Sequence, residues 1–343
     1  MAVISYLTQI TFDFGAVDKL ADELRRLGIR RPLLVTDRGV VAAGLLDRVR
    51  ARIPNDVEVT IFDGTPPNPT ETASMQAAAL YKSGGCDGLI GLGGGSALDL
   101  AKAAGLMATH PGRMADYMFV LGGAGKITAA VPPMVAIPTT AGTGSEVGRG
   151  AVIVLEDGRK LTLINPLLIP KSAICDPELT LDLPPLLTAG TGMDALTHCI
   201  ETFIAPAVNP PAEAIALDGL ARAAANIETA TRNGHDRQAR WEMMMAAMEG
   251  AMAFQKGLGA VHAMSHPLGA LKGKPLHHGT LNAVILPTVL AFNAAHVGDK
   301  YAKIREVVGL EPGADLGAWI RDLNHRLGLP PSLRAMGVTE ADL

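Results

Sequence analysis

Short apolar runs alternate with longer amphipathic stretches through the first half of the chain. Pro32–Thr36 (PLLVT) reads as a buried strand and Val40–Arg52 as a helix with its apolar positions at helical spacing. Val57–Phe62 alternates as a strand, Glu71–Lys82 returns to helix, Gly88–Leu92 (GLIGL) is again a strand, and a helix follows from about Ala97 to Thr109. Met134–Ile137 and Val152–Leu155 supply further strands around a glycine-rich loop. Such alternation implies parallel strands joined by crossover helices, hence an open α/β sheet. The texture changes after Asp176. Asp176–Pro185 (DPELTLDLPP) carries three prolines, and beyond it come Ala/Leu/Met-rich helical patterns at Leu187–Ile204, Ala212–Ala230, Ala239–Phe254 and Leu281–Ala295. The pattern therefore predicts an N-terminal α/β domain over residues 1–183 and an all-helical C-terminal domain over 184–343. Ligands of open α/β sheets sit beyond the carboxyl ends of the strands, and clefts between domains are common sites.

Composition narrows the class. The chain has 343 residues, enough for two domains at roughly 150 residues each. Hydrophobic residues make up 48% and charged ones 19%, so core material is plentiful and a disordered chain is excluded. Lysine and arginine number 30 against 34 acidic residues, without long runs. A nucleic-acid binder needs a concentrated basic face, so none is expected. Cys86, Cys175 and Cys199 are far apart and odd in number, which fits a reducing compartment better than a disulfide framework. The opening MAVISYLTQITFDFG has no basic leader, and no run of about 18 apolar residues occurs. The expectation is a soluble, cytoplasmic protein with no membrane partner. A strand at Val3–Leu7 would offer an edge to a second chain, and so a homodimer.

Two glycine loops carry candidate chemistry. Gly93-Gly94-Gly95-Ser96 lies between a strand and a helix, where bare amides at a helix start suit a phosphate. The spacing is neither GxGxxG nor a P-loop, and a tight strand-to-helix turn is the competing reading. Pro138–Glu146 (PTTAGTGSE) offers hydroxyls and exposed amides to ribose and phosphate oxygens, or is simply a polar connection. Asp37, ending the first strand, either bonds ribose hydroxyls and repels a 2′-phosphate, favouring NAD over NADP, or caps the next helix.

Five of the nine histidines cluster in the helical half. Asp194 and His198 stand four apart on one helix face, His262 and His266 repeat that spacing, and His277-His278 precedes Gly279. Taken singly, such pairs are usually local hydrogen bonds. Three clusters together suit Fe²⁺, Zn²⁺ or another first-row divalent ion. A zinc protease is disfavoured, because Ala263 stands where HExxH has its glutamate.

The succession GGGSALDLAK, IPTTAGTGSEV, DPELT, GMDALTHCIE, VHAMSHPLGA and LHHGTLNAVILP resembles the iron-containing (group III) alcohol dehydrogenases, from the first strand to at least Asn293. The resemblance implies a dinucleotide-binding α/β domain followed by a helical metal domain, as in dehydroquinate synthase-like folds. It implies that Gly94, Gly95 and Ser96 contact the NAD pyrophosphate with Asp99 supporting the turn, and that Thr139, Thr140 and Thr143 line the nicotinamide side. Lys160 would reach a cofactor hydroxyl, and Asn68 would lie near the adenosine ribose alongside Asp37. Asp194, His198 and His262 match the first three metal ligands. His278 matches the fourth, with His277 as its rival, and His266 matches a histidine beside the nicotinamide. The implied activity is hydride transfer between NAD(H) and a small alcohol or aldehyde, aided by Fe²⁺ or Zn²⁺ as Lewis acid. His266, water or a ribose hydroxyl would carry the proton.

Arg149, just after the second loop, either pairs with the carboxylate of a semialdehyde substrate or makes a surface or internal ion pair. Family members usually continue for another helix or two beyond the final TEADL. Two other functions compete: an NAD- and metal-dependent lyase of the dehydroquinate synthase type, and a non-catalytic nucleotide-binding homologue.

Overall fold

The structure, a computed structural model, describes residues 8–271, 273–274 and 276–343. The strand expected at Val3–Leu7 lies outside the described residues. The chain forms two compact units, one of residues 8–140 and 145–179, the other of residues 141–144 and 180–343.

The first unit runs β1 (Gln9–Phe12), α1 (Leu20–Leu27), β2 (Pro32–Val35), α2 (Arg38–Ala42), α3 (Leu45–Arg50), β3 (Thr60–Phe62), α4 (Glu71–Ser83), β4 (Gly88–Gly93), α5 (Gly95–Thr109), β5 (Met134–Pro138), β6 (Gly150–Val154), β7 (Lys160–Ile164) and β8 (Ser172–Cys175). Six strands pair in the order β1-β8-β5-β4-β2-β3, every pairing parallel. Strands β2, β4, β5 and β8 are buried throughout, as the continuous apolar runs PLLV, GLIGLG and MVAIP require of strands covered on both faces. Alternate residues serve opposite cores. Leu34, Ile90, Val135 and Ile174 pack with Leu20, Leu24, Val40 and Val49 of α1–α3. Leu33, Val35, Leu89 and Met134 pack with Ala73, Ala77, Leu98 and Ala101 of α4 and α5. The sheet changes winding direction between β2 and β4, so the loops after these strands open on the crevice where such sheets take ligands.

Three expectations need correction. The helix read over Val40–Arg52 is two, because Gly44 adopts a left-handed φ of 73° and breaks it. The strand read at Val152–Leu155 is β6, which pairs antiparallel with β7 in a separate hairpin rather than joining the sheet. The strand read over Val57–Phe62 shortens to Thr60–Phe62, and β1, β7 and β8 had no strand assigned.

The second unit is helical: α6 (Pro185–Ile204), α7 (Pro210–Arg232), α8 (Arg237–Ala253), α9 (Ala260–Leu268), α10 (His278–Asn293), α11 (Lys300–Val307) and α12 (Leu316–Arg326). The α/β-plus-helical architecture is the one the pattern predicts. Helix α6 is its axis, buried from Thr188 to Phe203. A proline in the first turn starts it, where an absent N–H costs nothing. At its other end buried Lys256 donates to the carbonyls of Thr202 (2.9 Å), Phe203 (3.0 Å) and Ala205 (2.6 Å), a cation on the negative end of the dipole. Among the described residues no helix is long and apolar enough to cross a membrane.

Candidate metal centre and cofactor loops

Residues 194, 198 and 201 fall at i, i+4 and i+7 of α6, so Asp194, His198 and Glu201 share one face, and all three are buried. Helix α9 supplies His262 and His266, and α10 opens with His278. Backbone proximity sets this meeting. A Cβ on Gly279 would collide with the carbonyl of Gly190, and one on Gly190 would lie 2.7 Å from the His277 ring. Helices α6 and α10 thus touch main chain to main chain, which carries His278 to Asp194.

Asp194 Oδ1 is the hub. His262 Nε2 and His278 Nε2 lie 3.6 Å from it and His198 Nε2 3.8 Å. Donor atoms of Asp194, His262 and His278 are all within 4.8 Å of one another. Two bonds of about 2.1 Å at a tetrahedral angle separate their donors by about 3.4 Å, so the spacing fits one first-row ion. His277 turns away: it caps α10, its Nδ1 accepting from the Thr280 N–H at 3.3 Å. His266, half-buried one turn beyond His262, has its ring 5.2 Å from that of His278 and 5.9 Å from that of His262.

Glu201 had no role in the sequence reading, although its place one turn past His198 was the available signal. Its carboxylate accepts from the Val261 N–H at 2.7 Å and from His262 Nδ1 at 2.6 Å. The bond fixes the His262 tautomer and turns Nε2 toward Asp194, the carboxylate–histidine support common around protein-bound metals. Asn282 was also missed. One turn past His278, it donates from Nδ2 to Asp194 Oδ1 at 2.7 Å.

Electrostatics divides the two stacked imidazoles, whose centroids are 4.6 Å apart. Burial pushes His198 down to about 4, overcoming Asp194, so it is neutral with a lone pair to give. Burial also disfavours charge on His262, but Asp194 and Glu201 outweigh it and raise that imidazole to about 9. Burial would raise the carboxyl of Asp194, yet the surrounding imidazoles hold it well below the usual range. A metal must therefore displace the His262 proton. Ion binding at pH 7–8 is expected to release about one proton from this group, and apparent affinity to rise with pH until about 9. Calorimetry of Co²⁺ binding in buffers of different ionisation enthalpy measures that proton; pH-independent binding would refute it.

In the α/β unit most candidate cofactor residues gather at the ends of β2, β4 and β5. Gly93 has a φ of 146°, and a Cβ there would lie 3.2 Å from Asp37 Oδ2. Asp37 satisfies its capping role through Oδ1, which accepts from Gly39 and Val40 N–H at 2.8 and 3.0 Å. A Cβ on Gly94 would lie 3.3 Å from the Thr140 methyl, and Thr139 N–H donates to Gly93 O at 3.0 Å, so both loops adjoin. Gly95 and Ser96 open the 15-residue α5, and Ser96 Oγ donates to Pro67 O at 2.5 Å. Neighbouring Asn68 accepts from Lys160 Nζ at 2.7 Å.

Asp99 does not face the glycine turn with its carboxylate: Oδ1 accepts from Ser145 Oγ at 2.6 Å and Oδ2 from Val152 N–H at 2.8 Å, tying α5 to the second loop and β6. Lys102, which follows the same glycine turn but had no role assigned, is buried and completes that tie. Its Nζ donates to Ser145 O at 2.6 Å and to Gly148 O and Gly150 O, each at 2.9 Å. The carbonyls flanking half-buried Arg149 are thereby held. Thr143 lies on the short 141–144 segment assigned to the helical unit. Gly142 and Gly144 let that segment run against Thr191 of α6 and against Ala247 and Ala251 of α8, where any Cβ would collide.

Comparison with known proteins bears on both units. Residues 8–177 match the family model described as iron-containing alcohol dehydrogenase, and residues 188–343 match its C-terminal domain. A 4-hydroxybutyrate dehydrogenase of Cupriavidus necator is 58% identical, the alignment covering 99% of this chain and 91% of that protein. A 1,3-propanediol dehydrogenase of Klebsiella pneumoniae is 37% identical over 99% of this chain and 90% of its own. Among solved structures, a 1,3-propanediol oxidoreductase superposes with a TM-score of 0.91 at 36% identity, covering 99% and 91% of the two chains. A sulfoacetaldehyde reductase of Bifidobacterium kashiwanohense, solved with NAD⁺, gives 0.89 at 29% identity, covering 99% and 90%.

Proposed function

The chain belongs to the iron-containing alcohol dehydrogenase family, and from that premise we propose that it interconverts a short ω-hydroxy acid of the 4-hydroxybutyrate type and its semialdehyde with NAD(H). That it is an oxidoreductase of small alcohols or aldehydes follows from the family and from relatives named as dehydrogenases, rather than lyases or non-catalytic proteins. The observation that carries the site is the convergence of Asp194, His262 and His278, with His198 beside them and Glu201 behind.

Residues 184–343 are the metal domain in this reading and residues 1–183 the nucleotide domain. Asp194, His198, His262 and His278 hold the ion, Fe²⁺ by family and Zn²⁺ as the other fit. When bound, the ion supplies Lewis-acid polarisation of the substrate oxygen and the nicotinamide supplies or accepts hydride. The chain's own residues bind and orient. The N-terminal amides of α5 at Gly94–Ser96 take the pyrophosphate with Asp99 and Lys102 bracing the loop beyond them. Asp37 receives ribose hydroxyls and disfavours a 2′-phosphate, so NAD is preferred to NADP. Asn68 and Lys160, already hydrogen-bonded, meet the remaining cofactor hydroxyls. Thr139, Thr140 and Thr143 face the nicotinamide. His266 passes the alcohol proton to solvent through its imidazole, a partly accessible base beside the ligands.

The substrate assignment rests on the 58% identical relative, and Arg149 is the candidate partner for the substrate carboxylate. A charge-assisted hydrogen bond is worth roughly 1.5–3 kcal/mol, about 10–100-fold. Anaerobically Fe²⁺-loaded protein is therefore expected to reduce succinic semialdehyde with a kcat/KM at least tenfold above that for butanal, a preference that Arg149→Ala removes. NADH consumption reports both. Equal rates on the two aldehydes would sink the substrate assignment, and an unchanged preference in the variant would sink the role of Arg149.

A further inference from the structure

The connection between α8 and α9 follows the end of α6 and touches it repeatedly. Phe254 sets its ring against that of His198, with centroids 5.3 Å apart. Two residues on, Lys256 has no exposed side-chain surface; its ammonium serves the carbonyls of Thr202, Phe203 and Ala205 and lies 3.0 Å from Glu213 Oε1. Gly257 then turns the chain with a φ of 128°, open to glycine and strained for other residues. At Gly259 a Cβ would lie 2.6 Å from Glu201 Oε1, so bare backbone is what lets the connection close on that carboxylate. Gly259 stands at the N-cap of α9 and offers no side chain to cap it. Glu201 supplies the cap from α6 instead: the Val261 and His262 N–H groups donate to its two oxygens at 2.7 and 3.4 Å, a negative charge on the positive end of a helix dipole. The same carboxylate accepts from His262 Nδ1. Its hold on that imidazole therefore depends on where α9 begins, and α9 begins four residues after Lys256.

We propose that Lys256 is a positioning residue for the metal centre: by anchoring the α8–α9 connection to the end of α6 it sets the start of α9, and with it the grip of Glu201 on His262. The inference rests on the metal reading above. Capping the helix end does not by itself account for Lys256, because a second lysine does that too. Lys300 Nζ donates to Phe203 O at 2.7 Å, to Ala205 O at 3.4 Å and to Glu213 Oε1 at 3.1 Å, but it belongs to α11 and not to the connection. Two ammonium groups thus share one helix end and one carboxylate, and one of the two also carries the chain that leads to His262. A carboxylate that orients a metal-bound histidine works only while both partners keep their places. Here both places are fixed from outside the ligand set.

The test compares the two lysines. Metal-depleted full-length protein is titrated with Co²⁺ alone, followed by visible absorption, and its thermal midpoint is recorded. Lys256→Met keeps the length of the side chain and loses the anchor; its Co²⁺ dissociation constant should rise at least tenfold, within the range for groups that orient a metal-bound histidine. Lys300→Met removes the other cation from the same carbonyls. It should also melt lower, yet bind Co²⁺ within twofold of the native chain. In the Glu201→Gln background Lys256→Met should add less than twofold, because its effect passes through Glu201. Should Lys256→Met not fold, Lys256→Gln keeps N–H donors on a shorter arm and should still raise the constant at least threefold. Native-like Co²⁺ affinity in the folded Lys256 variant, equal losses in the two lysine variants, or a full further loss in the Glu201→Gln background would overturn the role of Lys256 and leave the metal centre intact. Failure of the native chain to take up Co²⁺ would overturn the metal reading, and this one with it.

Discussion

Replacement of Asp194 by Asn is expected to lower kcat/KM by about three orders of magnitude and to leave the purified protein largely without metal. The change preserves shape and removes one charge, at the atom toward which three imidazole nitrogens converge from 3.6–3.8 Å. A metal-stabilised charge contributes several kcal/mol to such a reaction, and each 1.36 kcal/mol is a factor of ten. Two further losses act in the same direction. The amide would compete with Asn282, whose N–H now bonds the Asp194 oxygen. His262 would lose one of the two carboxylates that set its proton affinity and orientation. Steady-state kinetics combined with metal analysis decides the matter: a variant that keeps a full equivalent of metal and activity within tenfold of native would show that Asp194 is no ligand.

Glu201→Gln should be milder in chemistry yet large in binding. Carboxylates that orient a metal-bound histidine are typically worth 10–100-fold in metal affinity, and Glu201 holds His262 by both its ring nitrogen and the adjacent backbone. The variant should bind Co²⁺ 10–100-fold more weakly. The sign of its pH response follows from the same contact. Glu201 helps raise His262 to about 9, so without its charge the metal-free imidazole gives up its proton at lower pH. The proton released on loading therefore vanishes at a lower pH than in the native chain. A dissociation constant within twofold of native, with unchanged proton release, would reduce Glu201 to a structural residue.

Most of the fold was legible because its strands are unbroken apolar words. PLLV, GLIGLG and MVAIP admit little but burial in a parallel sheet, and the long alanine-rich segments after Pro185 admit little but helix. What escaped was set by partners rather than by local pattern. Strand β1 is a half-exposed edge of four residues that pairs with β8, about 160 residues away in sequence; its alternation Gln-Ile-Thr-Phe was the available signal, but it is too short to stand out alone. Residues 160–164 become a strand because residues 150–154 fold back on them. Gly44 lies inside the span read as one helix, and its left-handed conformation cannot be seen in the spacing of apolar side chains. At the site, residue types and helical spacing singled out Asp194, His198 and His262, which lie together in the structure. They could not separate His277 from His278, whose difference is that one ring folds over the first turn of α10 and the other reaches Asp194. Glu201 shared a helix face with Asp194 and His198 in the spacing, but its partner and that of Asn282 are set only where α9 and α10 meet α6.

The four residues at 141–144 have a consequence for descent. They sit in the chain between β5 and β6 but pack as part of the helical unit, with bare glycine backbone fitted to Thr191, Ala247 and Ala251. A gene crossover placed after β8 would exchange all seven helices yet retain the other parent's 141–144 segment. Such a chimaera inherits a working wall only when both parents leave the same room at those three helical positions. The helical half is therefore expected to transfer as a working unit only together with its 141–144 segment.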